Sequence, residues 1–258
     1  MLSFNHLINS VSKLINSVDC LVNNMGGTRA KVGRIIRARD AEVAREAILE
    51  AAEEIFAREG FAGARIDTIG AEAGYHKSLI FHYFGDKEGL YRAIMVRLKK
   101  RMMDGYLEPL TAFAQCSEEM SASRVRMFLE LSVERYFAFL VQNPRNLHIM
   151  AWESAEGWHT FLGDLKELEE HKARAVCLGD FLRRAQEAGV INPKLNTRFV
   201  LLSIVHLCIM YLLNLPRYQW FLGESLTDQP ESLAFARQQI VELVLHGIVH
   251  TPLEGSEK

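Results

Sequence analysis

Regular helical spacing is the feature of this sequence that most restricts its fold. Apolar residues recur every three or four positions over most of the chain, which places them along one face of an α-helix. The chain has only six prolines in 258 residues, so the long runs between them can stay helical. No stretch shows the clear two-residue alternation of a half-buried β-strand. The pattern therefore predicts an all-α protein.

Glycine and proline divide this pattern into predicted helices. The first clear apolar stripe should end at Gly60, because glycine readily adopts the left-handed conformation that ends a helix. The members of this stripe are Val43, Ala47, Ile48, Ala51, Ala52, Ile55 and Phe56. Two short helices follow at about 66–73 and 77–83. Longer helices are predicted at about 88–114 (with a kink at Pro109), 122–142, 145–160, 164–188, 196–214 and 231–249.

Charge and cysteine content narrow the possible functions. The formal net charge of −2 provides no basic field over the whole molecule, so any attraction to nucleic acid must come from a local patch. The four cysteines are widely spaced and contain no Cys-x-x-Cys pair, which indicates free thiols in a reducing compartment. We therefore expect a cytoplasmic protein.

The most apolar run, residues 199–216, raises the question of a membrane span. It carries no formal charge and approaches the ~20 residues that cross a bilayer. However, it contains Ser203, His206 and Asn214, and it is the only run of this kind. We predict a buried or interface helix and no membrane.

The first 42 residues differ from the rest. In residues 1–24, LINSVSK is followed at once by LINSVDC, and this seven-residue repeat fits an amphipathic helix that docks on a partner or on a membrane surface. Alternatively, translation starts at Met25 and this leader is not part of the native protein. Residues 25–42 form a basic arm, with five basic residues and no acid between Arg29 and Arg39. The arm either follows the DNA backbone and minor groove or is a solvated tail.

The stretch GYHKSLIFHYFGDKEGLY, residues 74–91, places basic, aromatic and polar side chains on one short helix. On a helical wheel, Ser78 and His82 point away from Ile80 and Phe84, which should be buried. Two short helices joined by a tight turn with glycine form a helix-turn-helix, whose second helix enters the major groove of DNA. This arrangement predicts a DNA-binding surface.

The run GFAGARIDTIGAEAGYHKSLIFHYFGDKEGL resembles the DNA-binding domain of TetR-family transcriptional repressors, and the resemblance covers residues 43–91. It implies a three-helix DNA-binding domain followed by a larger helical ligand-binding and dimerisation domain, residues 92–258. His76 stands where the family usually has a serine that caps the recognition helix, and histidine has less favourable capping chemistry. Arg65 replaces a threonine or serine cap and cannot cap, although its side chain is long enough to reach a phosphate.

The resemblance also implies which side chains touch DNA. The residues placed against phosphates are Lys77, Tyr83 and Lys87, and Arg65 joins them by the reach of its side chain rather than by the resemblance. The residues placed against base edges are Ser78, Leu79, Phe81 and His82. A dimer would hold two recognition helices about one DNA turn apart, ~34–36 Å, on a pseudo-palindromic operator.

The remaining helices are expected to bind an effector and a second copy of the chain. The last two long helices are apolar on much of their surface, which favours a dimer interface, although fully buried core helices would look similar. A pocket among the middle helices should bind a hydrophobic or aromatic compound. Its candidate residues are Trp152, Trp158, His159, His206 and Tyr211, each of which would otherwise be an ordinary core or surface residue.

Two rival functions are a helical-bundle enzyme and a helical adaptor. The chain lacks the common catalytic motifs, and the ELEEH run at 167–171 offers no second element for a di-metal site, so we predict no metal and no cofactor. An adaptor would not need basic residues in the register of a groove-facing helix. The sequence therefore predicts a ligand-responsive, sequence-specific DNA-binding transcriptional regulator, acting as a repressor, and not an enzyme.

Overall fold

The computed structural model of this chain describes residues 28–116, 119–162, 165–222 and 230–249. Predictions about the leader, residues 1–24, lie outside these residues, and so do residues 25–27 and the side chains of residues 28–39 in the basic arm. Within the described ranges the regular structure is helical, apart from one isolated antiparallel bridge between Ile191 and Val249. The all-α prediction is confirmed.

The order of the helices follows the predicted succession of one long helix, two short helices and then longer helices. They are α1 (Thr28–Gly63), α2 (Ile66–Ala73), α3 (Lys77–Phe84), α4 (Lys87–Met102), α5 (Glu108–Gln115), α6 (Ala122–Gln142), α7 (Pro144–Ala155), α8 (Leu165–Glu187), α9 (Thr197–Leu222) and α10 (Pro230–Ile248). A π-helical turn, Met103–Leu107, joins α4 to α5.

Helix α1 begins well before the predicted start at Val43, so the backbone of the basic arm is helical from Thr28. The arm contains no proline, and its Lys, Arg and Ala residues are good helix formers. The predicted break at Gly60 is present. Its φ is 70° and its ψ is 177°, a positive-φ conformation that differs from the left-handed helical one in ψ. Only glycine adopts this backbone without strain.

The first hydrophobic core joins α1 to the next three helices. Most of the predicted stripe of α1 is buried, but Val43 is 58% exposed and does not belong to the core. Ile69 of α2 and Ile80 of α3 are completely buried, as the helical wheel requires. The core is composed of Ile48, Leu49, Ala51, Ala52, Ile55, Phe56, Ala57, Ala64, Ile69, Ile80, Leu90, Tyr91, Ile94, Met95, Leu98 and Ile149. Because it reaches Leu98 of α4, this core extends beyond the predicted domain boundary at residue 91.

A second core holds the larger helical part together. The rings of Phe128 and Phe181 lie 4.3 Å apart between α6 and α8, and those of Tyr106 and Tyr136 lie 4.6 Å apart. Both α9 and α10 pack against α6. Burial raises the pKa of the Tyr106 and Tyr136 phenols far above their ordinary value, which is expected for groups sealed among aromatic rings.

Three helix boundaries differ from the predictions. The expected kink at Pro109 takes the form of the π-helical turn, because proline has no N–H for the carbonyl of Gly105. Helix α7 ends at Ala155 rather than near residue 160. The chain turns soon after this end, because Gly157 and Trp158 both have positive φ. Helix α9 continues through Pro216 to Leu222, since side chains beyond the proline still pack against its earlier turns.

Helix α9 exposes much of its apolar surface. Its segment Thr197–Phe221 is the one described stretch long and apolar enough to cross a membrane, judged by length and composition alone. Cys208 and Ile204 face the second core, whereas Phe199, Leu202 and Met210 are 68%, 54% and 45% exposed. The helix is therefore buried on one side only.

Candidate functional site

The turn between α2 and α3 sets the orientation of the helix-turn-helix. Gly74 ends α2 with φ of 74°, and the Tyr75 N–H donates to the Gly70 carbonyl at 2.9 Å. A Cβ on Gly70 would lie 2.8 Å from the Tyr75 carbonyl oxygen, so a larger residue would force the two helices apart. Glycine at both positions keeps α3 in one position against α2.

Helix α3 presents the predicted outward face. Lys77, Ser78, Phe81 and His82 are all exposed, with Phe81 45% exposed, while Ile80 is buried beneath them. Leu79, like Tyr83, is half-buried and packs against the first core, so only part of its side chain remains for a base contact. The exposed face can therefore enter a groove without disturbing the core.

His76 caps α3, at the position where the sequence predicts less favourable capping chemistry than that of serine. Its Nδ1 accepts a hydrogen bond from the Ser78 backbone N–H at 3.3 Å. The Ser78 hydroxyl oxygen lies 2.9 Å from the same nitrogen. The extended backbone of His76 brings Nδ1 into the position that a serine oxygen usually occupies. By contrast, Arg65 at the start of α2 makes no side-chain cap within the described residues, as predicted.

The lysines predicted to contact phosphates already have partners at this surface. Lys77 pairs with Asp67 of α2 at 3.0 Å, and both side chains are largely exposed. Because such a surface pair is worth little, a phosphate can replace Asp67 at low cost. Lys87 donates to the Ala62 carbonyl at 3.3 Å and lies 4.8 Å above the Phe61 ring. These contacts position Lys87 beside the end of α1.

The predicted ligand residues separate into two groups. His206 and Tyr211 line an apolar groove of ≈ 770 Å³ between α9 and α10. The Tyr211 hydroxyl is buried and has no hydrogen-bond partner within the described ranges, and burial raises its pKa. His206 Nδ1 donates to the Leu202 carbonyl at 2.7 Å, an internal bond that positions its ring. The rest of the groove lining is Ser203, Leu207, Met210, Tyr218, Phe235, Ala236, Gln239, Ile240 and Leu243.

Trp152, Trp158 and His159 lie elsewhere, at the junction between the DNA-binding helices and α7. The Trp152 indole N–H donates to the Ala57 carbonyl of α1 at 3.2 Å, and its ring covers Gly60. Trp158 stacks edge-on against Phe161 at 5.5 Å, and His159 is exposed. The five candidate residues therefore do not line one common pocket, and Trp152 lines a separate one between α1 and α7.

A buried carboxylate completes this junction. Glu153 of α7 is 1% exposed, and its Oε1 accepts from the Tyr91 hydroxyl of α4 at 3.0 Å. Its Oε2 accepts from the Phe161 backbone N–H at 2.9 Å. Burial, together with the negative charge of Glu153, raises the pKa of Tyr91 far above its ordinary value. Tyr91 therefore remains a hydrogen-bond donor at any physiological pH.

An ion-pair network also joins the helices at this junction. Glu53 of α1 is 2% exposed and accepts from Arg101 at 2.5 Å, while Arg97 also contacts it. Arg145 of α7 bonds Glu50 and also Glu54 of α1, the latter at 2.6 Å. The hydrogen bond from Arg145 lowers the pKa of Glu50. Helices α1, α4 and α7 are thus linked by charged side chains.

Comparison with known proteins assigns this arrangement to a family. Residues 48–94 match the model described as bacterial regulatory proteins of the tetR family, and residues 127–244 match a tetracyclin repressor-like C-terminal domain. The HTH-type transcriptional repressor SCO4008 of Streptomyces coelicolor is 32% identical over 176 residues, covering 67% of this chain and 82% of that protein. The chain belongs to the TetR family.

Two further transcriptional regulators are similar to this chain. The HTH-type transcriptional repressor NicS of Pseudomonas putida is 25% identical over 214 residues, covering 83% of this chain and 96% of that protein. The ketosteroid transcriptional regulator KstR2 of Mycobacterium tuberculosis shares the fold, with a TM-score of 0.59 at 18% identity over 80% of this chain and 95% of that one. The protein is a DNA-binding transcriptional regulator and not an enzyme.

Several residues that shape this TetR-family surface were missed by sequence reasoning. Asp86 caps α4 by accepting from the Gly89 N–H at 2.6 Å, and a Cβ on Gly89 would lie 2.0 Å from the Phe84 carbonyl oxygen. Arg45 of α1 lies 5.5 Å from the Phe84 ring centre. Asp86 followed three residues later by Gly89 is a recognisable signal of a helix cap. No pattern in the sequence indicates the contact between Arg45 and Phe84.

The residues searched for metal sites contain no cluster of three or more metal-binding side chains. The Glu167 and His171 side chains of the ELEEH run lie outside the described part of the structure.

Proposed function

We propose that this TetR-family regulator is a cytoplasmic repressor that binds a pseudo-palindromic operator as a homodimer and leaves it when an effector binds. The observation that carries the DNA-binding part is the row of exposed polar side chains on α3, formed by Lys77, Ser78 and His82 above a buried Ile80. Ser78 and His82 would meet base edges, with Leu79 and Phe81 beside them, while Arg65, Lys77, Tyr83 and Lys87 would meet phosphates.

Binding of the purified full chain to a fragment of its own upstream DNA, over a series of salt concentrations, tests this proposal. Lys77→Ala should weaken binding. The slope of log K against log salt concentration should also become shallower by about 1 to 2, because a dimer loses up to two phosphate contacts. Tyr83→Phe tests the proposed phosphate contact of the Tyr83 hydroxyl, because it removes the hydroxyl and keeps the packing of the ring. Lys172→Ala is the matched control, since Lys172 also pairs with one carboxylate, Glu169 at 2.7 Å, but lies on α8. Equal loss in both lysine variants would contradict the assignment to α3.

For the dimer, the support is the exposed apolar face of α9 and α10. Phe235 and Leu243 of α10 are 60% and 65% exposed beside Met210 of α9. A monomer in water would leave this continuous apolar surface hydrated, whereas a symmetric second copy would cover it with an identical one. The same dimer would account for the exposed apolar side of α9 without a membrane.

The effector site is proposed at the inner wall of the groove between α9 and α10. There the Tyr211 hydroxyl has no partner among the described residues, and the centre of the Tyr211 ring lies 6.2 Å from that of Phe137 and 6.4 Å from that of Tyr218. One polar group among aromatic rings suits a hydrophobic or aromatic compound with a single hydrogen-bonding group. Trp152, Trp158 and His159 are not part of this site, because none of them lines the groove.

A thermal-shift screen of aromatic and aliphatic carboxylic acids, phenols and ketones would test the effector site. A compound that binds there should raise the melting temperature of the wild type more than that of Tyr211→Phe, and should also release DNA. Trp152→Phe is the control for the other location. A compound whose effect depends on Trp152 and not on Tyr211 would move the effector to the junction.

A further inference from the structure

The cap of α3 determines the direction of a hydrogen bond at the DNA surface. Both the Ser78 backbone N–H and the Ser78 hydroxyl converge on His76 Nδ1, at 3.3 Å and 2.9 Å. Ser78 is the second residue of α3, and residues at the start of a recognition helix are those that meet base edges. The state of one imidazole nitrogen therefore controls what Ser78 can offer to DNA.

The proton positions follow from the donors present. A backbone N–H can only donate, so Nδ1 must carry its lone pair and the imidazole hydrogen must be on Nε2. With a lone pair on Nδ1, the Ser78 hydroxyl 2.9 Å away can only donate its own hydrogen to it. The serine oxygen is then left with lone pairs alone on its exposed side.

We propose that His76 makes Ser78 an acceptor-only reader, so that the base facing Ser78 in the operator is an adenine or a cytosine. A serine is ordinarily able to bond either donors or acceptors and so discriminates poorly. In the major groove, only the adenine N6 and cytosine N4 amines donate hydrogen bonds. Guanine N7 and O6, thymine O4 and phosphate oxygens all accept, and Ser78 has no free hydrogen for them.

His76 thus has two roles in this surface. It caps α3, and it turns the neighbouring hydroxyl so that a non-selective residue becomes selective. It is a positioning residue, because it acts on the base through Ser78. The inference rests on the proposed role of the exposed α3 face in reading DNA.

The experiment begins with selection of an operator from a randomised duplex library by the full-length wild type. Each base pair of the selected site is then changed in turn, and binding of wild type and Ser78→Ala is compared on every variant. Ser78→Ala should weaken binding about three- to tenfold on the selected operator, as expected for one hydrogen bond. That penalty should disappear when the amine of one adenine or cytosine in each half-site is removed, by purine or 2-pyrimidinone in place of that base, with its partner base unchanged.

Two His76 variants separate positioning from simple capping. His76→Ala frees the Ser78 hydrogen, so the preference for adenine or cytosine at that position should broaden to guanine and thymine. His76→Asn should keep the preference, because its amide oxygen can accept from both Ser78 groups and asparagine is itself a strong cap. Circular dichroism and melting temperature of each variant establish that α3 is still folded.

Three results would overturn the inference. They are a Ser78→Ala penalty that survives removal of every adenine and cytosine amine in turn, a penalty that disappears instead when N7 of one guanine is replaced by carbon, and an unchanged preference in His76→Ala. Enrichment of no sequence by the wild type would instead overturn the proposed operator binding.

Discussion

Two contact surfaces of this regulator are built from opposite chemistry. The junction of α1, α4 and α7 contains buried or half-buried charges, such as Glu53, Arg101 and Glu153, each with a partner on another helix. The face of α9 and α10 is apolar and exposed. Charges can be buried within one chain because folding delivers their partners at a fixed distance. An apolar face accepts any complementary apolar surface, which suits contact with a second copy.

The largest expected effect comes from placing a charge on the apolar face. Leu243→Glu should leave the monomer folded, because Leu243 is 65% exposed, but should dissociate the dimer. A monomer would contact only one half-site, so affinity for the operator should fall about 1,000-fold or more, toward non-specific binding. Sedimentation velocity and DNA titration measure both changes.

Met127→Glu is the matched control for that variant. Met127 of α6 is also an exposed apolar residue, 55% exposed, and it lies outside the groove. Its substitution should leave the dimer intact. A Leu243→Glu protein that remains dimeric would show that another face mediates association.

The next effect is at the polar junction. Glu153→Ala leaves the buried Tyr91 hydroxyl and the half-buried Phe161 N–H without their partner, and should lower the free energy of unfolding by about 3 kcal/mol. Tyr91→Phe removes only one member and should cost about 1 kcal/mol. Denaturant unfolding measures both, and Glu156→Ala, at an exposed carboxylate near the end of α7, should change little. If Glu153→Ala instead altered dimerisation alone, the two surfaces would not be separable.

Gly60 gives an intermediate effect. Gly60→Ala places a methyl group 2.9 Å from the Trp152 ring on a backbone that only glycine adopts easily, and should cost about 2 kcal/mol. Gly63→Ala is the control, since the new Cβ would meet only the Glu59 Cβ at 3.4 Å. Thermal unfolding of the two variants compares strain with simple addition of a methyl group. Equal melting temperatures would show that the Trp152 ring moves away from the new methyl group without a loss of stability.

The smallest effect is expected from the solvent-accessible part of the junction. Arg145→Met should reduce stability at pH 7 by about 0.5 kcal/mol, because the pairs with Glu50 and Glu54 are partly exposed and screened. Arg145 lowers the pKa of Glu50, so the folded protein keeps this carboxylate ionised where the unfolded chain would protonate it. The contribution is therefore complete above the unfolded value, about pH 4.3, and disappears as the pH falls through the lowered pKa.

Denaturant unfolding of wild type and Arg145→Met from pH 7 downward checks this sign. The difference between the two should shrink as the pH falls and should also shrink in high salt. A difference that grows at low pH would mean that Arg145 acts through packing rather than through its charge.

The sequence predicted the DNA-binding part of the fold more fully than the rest. Helix α2 has its predicted bounds, helix α3 ends one residue after its predicted end, and the exposure of Ser78 and His82 above Ile80 follows directly from helical periodicity. These features depend on local spacing, on glycine and on a family motif, all of which are present in the amino-acid order. The roles of the individual side chains against DNA remain predictions.

What the sequence did not predict depends on which helices pack together. Trp152 and Tyr211 have similar apolar surroundings in the sequence, yet one packs on α1 and the other lines the groove of α9 and α10. The early end of α7 follows from the backbone turn after it, where the Trp158 N–H returns to the Glu153 carbonyl at 2.7 Å. No periodic pattern encodes a hydrogen bond between Glu153 and Tyr91, which are 62 positions apart.

The two hydrogen bonds of Glu153 have a mechanical consequence. One carboxylate is bound on one side by the last helix of the DNA-binding core and on the other by the chain segment that leads to α8. Hydrogen bonds weaken steeply when stretched, and the densely packed surroundings leave little room for gradual deformation. A displacement of that segment must therefore either carry α4 with it or detach from it, so the link acts as a coupling with two discrete positions rather than as a spring.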